Sequence, residues 1–431
     1  MNAIVKHPSA DFGHAVRPSF TTRFLRQRLL DTIAGLRYGQ LVLQDAYGRM
    51  ELGTLTAAHP DVVHVRVLDT GFYREVAANG SVGVGETYMD GRWTCDNLLG
   101  LVQLLVRNRD LLDGMESGLA KLGGMALRGW QALRRNTREG ARRNIAAHYD
   151  LGNDFFELFL SPDLMYSSAM WEGCDDTLEA ASNRKLERVC RKLNLQPTDR
   201  VVELGTGWGG FALYAAQHFG CHVTTTTISR EQYALASERI AAAGLCDRVT
   251  LVLDDYRDLR GQYDKLVSIE MVEAIGAAYL DTYFGCLGRL LKSDGMALIQ
   301  AITIEDHRYS QALHSVDFIK RHVFPGAFIP SISALLAAKT RTSDLSLIHF
   351  EDFGESYART LGVWRERFMT KLRQVRALGL DDRFIRLWEY YLAYCEGGFR
   401  ERSIGVAHLL LAKPGAGRPA SQAPFSCEVP S

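Results

Sequence analysis

The period of apolar and polar positions changes repeatedly along the chain. Residues 21–39, TTRFLRQRLLDTIAGLRYG, put Phe24, Leu25, Leu29 and Ile33 on one helical face, with Arg23, Arg26 and Arg28 elsewhere around it. Two uses fit such a helix: packing on its own domain, or lying on a membrane surface. From about 38 to 93 the pattern shortens to alternating runs, QLVLQDAYGRMEL and DVVHVRVLD, broken by Gly and Asn, which predicts antiparallel strands of a small α+β domain. VGVGETYMDGRW closes this region, and DNLLGLVQLLVRNRDLL predicts a helix behind it. Beyond residue 200 strand and helix periods alternate, with strands expected at 200–204, 222–228, 249–255, 263–271 and 295–304. Such βα units imply a parallel sheet covered on both faces. A helix-rich insertion is expected from about 308 to 400, followed by a late strand in SIGVAHLLLAKP.

Composition narrows the class of protein. A chain of 431 residues with 47% hydrophobic and 10% aromatic content is globular and long enough for two domains. Lys+Arg and Asp+Glu balance at 50 each, so global charge points to no nucleic acid or other polyanion. The exception is local. Residues 119–143 carry seven basic side chains (Lys121, Arg128, Arg134, Arg135, Arg138, Arg142, Arg143) against Glu139, interleaved with Leu and Trp130. This stretch fits a solvated linker and also fits an anionic bilayer surface. The longest apolar run, LLGLVQLLV at 98–106, is about half of the ~18 residues needed to span a membrane. The opening residues lack the continuous apolar core of a signal peptide. Eight scattered cysteines without a CxxC pair argue for a reducing compartment and against a zinc site, so no metal is expected.

Two features carry chemistry. VVELGTGWGGFALYAA is a strand, a glycine turn and a helix, in which Gly205 and Gly207 admit a ligand close to the backbone and the helix offers its N-terminus. The spacing of Gly205, Gly207 and Gly210 also satisfies a dinucleotide fingerprint. Glu203 before the turn and LDDYRDL after the third strand favour S-adenosylmethionine. The second feature is YDKLVSIEMVEAIG, which sets Glu270 and Glu273 in an apolar run. Buried carboxylates are costly unless paired, so each is either a structural cap or ion-pair partner, or is kept for chemistry.

The glycine turn resembles class I methyltransferases. HYDLGNDFFELFLSPDLMYSSAMW, VVELGTGWGG, TISREQ, DDYRDL, HVFPGAFIPS, FGESYARTLGVW and YYLAYCEGGF, in that order, resemble the cyclopropane-fatty-acyl-phospholipid synthases and the related mycolic acid methyltransferases. The likeness covers roughly 145–412, and VGVGETYMDGRW resembles the extra domain of the phospholipid-acting members. It implies an α/β Rossmann-like methyltransferase sheet with a helical insertion and a smaller N-terminal α+β domain. The boundaries expected are 1–118 for a lipid-associated domain, 119–143 for the connector, 144–413 for the catalytic domain and 414–431 for a disordered tail with four prolines. The activity implied is transfer of a methyl group from S-adenosylmethionine to a cis double bond of a phospholipid acyl chain.

Carried over by motif, Tyr166, Ser167, Gly205, Thr206, Gly207, Thr227, Ile228, Ser229, Gln232, Asp255 and Tyr256 hold the cofactor. Similar enzymes use a bicarbonate ion as base. The matching cradle is Ser168, Glu273, Gln300, the backbone at Ile302, and Tyr357, while Glu270 is expected to face the cofactor crevice. Cys395 matches a cysteine long considered part of the site; the alternative is an inert buried thiol, since alkene attack on a sulfonium needs no enzyme nucleophile. The sequence departs from the family at Ser168 (usually Cys), Gln300 (usually His) and Ala274 (usually His). Gln cannot become cationic, so a weaker anion site would change which proton leaves and give a methylene-branched chain instead of a ring.

The partners expected are an unsaturated phospholipid bilayer at the inner face of the cytoplasmic membrane, a second copy of the chain and, for a methylene-branched product, a reductase. A lipid-binding protein with a dead site, and a small-molecule methyltransferase, are the rival readings.

Overall fold

The structure is a computed structural model that describes residues 19–113, 136–141, 151–174 and 176–416. Most of the basic connector and the end of the C-terminal tail lie outside the described residues. The chain divides into two compact units, Met1–Gly123 and Gly124–Ser431.

In the first unit, β1 (Gly39–Asp45), β2 (Gly48–Thr54), β3 (Val62–Val67) and β4 (Trp93–Cys95) form a sheet in the order β2-β1-β3-β4. Two expectations need correction. The β1–β3 pair is parallel, with Gln40 opposite Val62. Hairpin pairing leaves the end of β2 beside the start of β1, so a short connection delivers β3 to the free edge of β1 running the same way. Residues expected to extend the strand pattern instead form a helix, Phe72–Met89, broken at Gly80 (φ 55°, ψ −131°). At Gly83 an added Cβ would lie 2.4 Å from the Glu75 carbonyl oxygen. The alternating Val and Gly of VGVG thus serve a close crossing of two helical halves, a packing that looks like a strand period in sequence.

The first helix, Phe20–Ile33, buries Leu30 and Ile33, while Phe20 and Phe24 are 86% and 55% exposed. Its orientation follows from Arg26, whose Nε donates to Asp45 Oδ2 at 2.6 Å; Asp45 also accepts from the Tyr73 hydroxyl. Burial and the Asp45 charge push the Tyr73 phenol well up, so it stays a donor. An arginine therefore faces inward where an apolar face through Phe24 was expected. A buried ion pair that loses one partner leaves an uncompensated charge. We expect Asp45→Asn to destabilise this unit by about 3 kcal/mol, read as lost hydrogen-exchange protection of the β1 amides; unchanged protection would mean that Arg26 is satisfied without it.

The second unit is built on seven strands in the order β10-β11-β9-β8-β5-β6-β7. These are β5 (Arg200–Leu204), β6 (His222–Thr226), β7 (Val249–Val252), β8 (Tyr263–Ile269), β9 (Leu291–Ile304), β10 (Ser346–Asp352) and β11 (Ile404–Ala412). β5 to β9 run parallel, and β11 lies antiparallel between β9 and β10. β10 interrupts the expected helical insertion; as an edge strand with Ile348 and Phe350 exposed, it lacks the apolar run of the inner strands. Separate apolar layers cover the two faces, Val202 and Leu266 facing one and Val201 and Val267 the other. The chain leaves β5 toward β6 and β7, then returns on the other side of β5 as β8. Their C-terminal ends flank a topological switch point, where open α/β sheets bind ligands.

Candidate active site

The turn after β5 is shaped by glycines in the left-handed region: Gly205 (φ 91°), Gly207 (φ 53°) and Gly209 (φ 88°). The Gly205 and Thr206 amides donate to the Thr226 carbonyl at 3.1 and 2.9 Å, which ties the turn to β6. A Cβ on Gly205 would meet Met271 Cγ at 3.1 Å, whereas one on Gly207 meets nothing within 4 Å among the described residues. Gly205 is therefore needed for packing, and Gly207 borders open space where a ligand can approach the backbone. Before the turn, Glu203 is buried and accepts from Thr225 Oγ1 at 2.6 Å. Burial pushes its carboxyl up to about 8.

At the end of β6, Thr227 Oγ1 bonds Gln232 Oε1 (2.8 Å) and accepts from the Ser229 amide (3.1 Å); Ser229 caps the helix Arg230–Ala242 through the Gln232 amide. Ile228 sits half-buried between them. Past β7, both oxygens of buried Asp255 lie in the fork of Arg257, at 2.7 and 2.6 Å, and Tyr256 packs edge-on to Tyr283. Asp255 is thus held in place by its own arginine. Tyr166 shares a hydrogen bond with the Tyr391 hydroxyl (2.8 Å), with its ring centroid 5.3 Å from those of Phe156 and Trp364.

The two carboxylates of the YDKLVSIEMVEAIG run have different surroundings. Glu270, immediately after β8, adopts φ +49°. That conformation is sparsely populated for a residue with a side chain and costs roughly 1–2 kcal/mol. Its amide donates to the Gln300 carbonyl at 2.8 Å. Its Oε1 accepts from the Ser168 amide (2.9 Å) and Gln300 Nε2 (2.7 Å), and its Oε2 accepts from the Tyr357 hydroxyl (2.6 Å). Glu273 Oε1 accepts from the Ile302 amide (2.6 Å), while its Oε2 is buried with no partner among the described residues. Burial, reinforced by the neighbouring Glu270 charge, pushes Glu273 up to about 8.

The single cradle expected around Glu273 therefore divides. Ser168, Gln300 and Tyr357 gather on Glu270, and Ile302 alone stays with Glu273. The left-handed backbone at 270 brings that side chain, expected to face the cofactor crevice, onto the donors expected to hold the anion. Ser168 takes part through its amide, because its hydroxyl is turned to the Ala169 carbonyl at 2.9 Å. A free bicarbonate does not fit beside this carboxylate, which already engages the donors meant to hold it.

Three basic residues of the site went unrecognised in the sequence. Lys185 is buried and donates to Ser167 Oγ at 2.9 Å, and burial pulls its ammonium down to about 8. Behind Gln300, His408 Nε2 lies 3.0 Å from Gln300 Oε1, and His408 Nδ1 lies 3.0 Å from Lys192 Nζ. Burial, with the Lys192 charge, holds His408 well below its usual range, so it is neutral. The available signal was spacing: Lys185 and Lys192 share the helical face of Leu178 and Val189, the buried face of Leu178–Lys192.

Cys395 lies on the helix Asp382–Arg400. The residue is partly exposed but its sulfur is enclosed, and burial with the Asp317 charge pushes the thiol well up. A thiol so placed is not a nucleophile at neutral pH.

Residues 136–409 match the family described as mycolic acid cyclopropane synthetase. The chain is 38% identical over 350 residues to the tuberculostearic acid methyltransferase UfaA1 of Mycobacterium tuberculosis, covering 79% of this chain and 81% of that protein. It is 35% identical over 356 residues to the cyclopropane-fatty-acyl-phospholipid synthase of Escherichia coli, covering 81% and 87%. Among solved structures, the mycolic acid cyclopropane synthase CmaA1 complexed with SAH and CTAB is similar at a TM-score of 0.59 and 28% identity, covering 63% of this chain and 98% of that one. The cyclopropane synthase MmaA2 from Mycobacterium tuberculosis gives the same four figures, 0.59, 28%, 63% and 98%.

The state of Cys395 leads to a direct expectation. Iodoacetamide at pH 8 should label exposed Cys174 and Cys246 and leave Cys395 unmodified in the folded protein; peptide mapping that finds Cys395 labelled as fast as Cys174 would show a reactive thiolate.

Proposed function

The chain belongs to the mycolic acid cyclopropane synthetase family, and from that membership we propose that it transfers a methyl group from S-adenosylmethionine to the cis double bond of acyl chains in membrane phospholipids, closing a cyclopropane ring. The observation that carries this reading is the likeness to the Escherichia coli phospholipid synthase, which runs over more of the chain than the catalytic region matched by the family. An enzyme confined to the catalytic region would give no reason for the first unit to be shared.

When bound, the cofactor supplies an electrophilic methyl group. The backbone at Gly207 and the Thr227–Gln232 corner are the parts of the chain that would hold it, with Tyr166 and Ser167 on the side of the aromatic cluster. An alkene is a weak nucleophile, and its alkylation leaves positive charge on the acyl chain. Aromatic faces stabilise such charge without acting as nucleophiles. Tyr166 packs on the buried rings of Phe156 and Trp364 and would offer such a face, with the apolar cluster behind it keeping water away from the cation.

A second reading, a methylene- or methyl-branched product, is favoured by the likeness to a tuberculostearic acid methyltransferase and by Gln300 and Ser168 in place of the usual residues. It would call for a reductase to saturate the branch. Both readings place the protein on a bilayer from the cytoplasmic side. Among the described residues no helix is long and apolar enough to cross a membrane. Basic residues of the connector are the proposed contact with anionic lipid; Arg138, described among them, also pairs with Asp258 at 2.7 Å.

Mass spectrometry of lipids from a host given this gene should show one added methylene unit on monounsaturated phospholipid chains, with ring or branch analysis deciding the product; unaltered lipids would overturn the proposal. Gly207→Ala should weaken S-adenosylmethionine binding at least tenfold in calorimetry. The fold should survive, because the added Cβ meets no atom of the described residues within 4 Å and the left-handed backbone costs about 1 kcal/mol. Equal affinity in the variant would move the cofactor elsewhere.

A further inference from the structure

The donors meant for a free anion are occupied by a carboxylate of the chain itself. We infer that Glu270 is the built-in base of this enzyme, standing where the family resemblance put a bicarbonate ion, so that the site takes no exchangeable anion. The inference rests on the proposed acyl-chain alkylation and names the group that completes it.

The geometry supports this in three ways. First, a carboxylate and a bicarbonate present the same two-oxygen acceptor, and here that acceptor comes from residue 270. It is bound by the Ser168 amide, Gln300 Nε2 and the Tyr357 hydroxyl at 2.9, 2.7 and 2.6 Å. The amide and the hydroxyl each have one hydrogen to give, so neither can donate to a second anion. Second, the left-handed backbone at Glu270 is unfavourable for any residue with a Cβ, and such strain persists only where surrounding structure holds it. Glycine would occupy this φ freely, yet the chain carries a glutamate.

Third, the hydrogen bonds behind Gln300 run in one direction. The Lys192 ammonium can only donate, so His408 Nδ1 accepts from it and the imidazole proton lies on Nε2. Nε2 then donates to Gln300 Oε1, which turns the amide nitrogen toward Glu270. Gln300 is thus oriented as a donor, and the cation that a histidine would have supplied at position 300 stands two residues further back, on Lys192. His408 and Lys192 act here as positioning residues. Adding a free anion would set a second negative charge against Glu270 in a buried space, which like-charge repulsion opposes.

The step balances without another reactant. The alkene's electron pair would form the new bond to the methyl carbon as the methyl–sulfur bond breaks, its electrons staying on a sulfur that leaves as a neutral thioether; a C–H bond of the cationic chain then breaks. Its electrons close the third ring bond, or form a C=C bond in the branched product. The proton ends on a Glu270 oxygen, and water takes it after product leaves.

The test uses the full-length protein with vesicles of monounsaturated phospholipid and S-adenosylmethionine in buffer freed of carbon dioxide. The wild type should turn over at the same rate with or without added bicarbonate, and 13C-bicarbonate should show no line broadening with the protein. Glu270→Gly suits the local backbone and vacates the carboxylate's place. Its rate should fall about 10²-fold, the scale of losing one general base, and added bicarbonate or formate should restore it with saturation while 13C-bicarbonate now broadens. Glu270→Gln, which keeps the shape, should be equally slow and unrescued. A wild type that stalls without bicarbonate and broadens its signal overturns the inference, as does a Glu270→Gln protein of normal rate. If the wild type alkylates no unsaturated lipid, the substrate reading fails instead, and the 13C-bicarbonate comparison of wild type with Glu270→Gly still decides whether the glutamate fills the anion place.

Discussion

The half-buried carboxylate of Glu270 is the constraint around which the catalytic unit is organised. Its two oxygens draw donors from the Ser168 segment, from β9 through Gln300, and from the helix Gly354–Thr370 through Tyr357. A charge taken out of water must be met by hydrogen bonds wherever they come from. Satisfying this one group therefore fixes how the helical insertion and the segment before the sheet close over the ends of β8 and β9.

The same demand explains the buried lysines. Glu203, Glu270 and Glu273 place three acidic side chains near the switch point, and the charges of Glu203 and Glu270, with Asp163, bear on Lys185. Lys185 in turn holds Glu203 and Glu270 below what burial alone would impose. Burial raises the carboxylates and lowers the lysine, so the groups move toward one another on the pH scale. A base whose affinity for protons is raised in this way is better matched to removing a proton near neutrality. Lys192 is placed differently: it pairs with Glu351 on β10, which also accepts from Arg188, and so links the interior chain through His408 to a partly exposed ion cluster.

The first unit shows the same economy of charge. Arg26 enters the interior because Asp45 and Tyr73 wait there, and the helix that carries it turns Phe20 and Phe24 outward in consequence. Hydrophobicity alone would have rotated this helix the other way. Once Asp45 is buried, leaving it without Arg26 would strand a charge, whereas two aromatic rings can remain at a surface.

Contiguous residues were enough to reveal the alternating βα order, the glycine turn after β5 and the succession of motifs that points to the family, because local period and turn chemistry are written in neighbouring positions. They could not reveal the parallel β1–β3 pair or the helix made from VGVG, since strand direction depends on where a connection re-enters and small residues fit both a strand period and a close helix crossing. They also gathered all the donors around Glu273, where the structure divides them between the two glutamates. The Ser168 amide, the Tyr357 hydroxyl and the Gln300 amide lie 102, 87 and 30 residues from Glu270. Which of two carboxylates three residues apart receives such distant donors is set by one backbone angle and by how the sheet and helices close. Side-chain direction at a strand end is a property of the assembled fold, and only the tertiary structure could decide it.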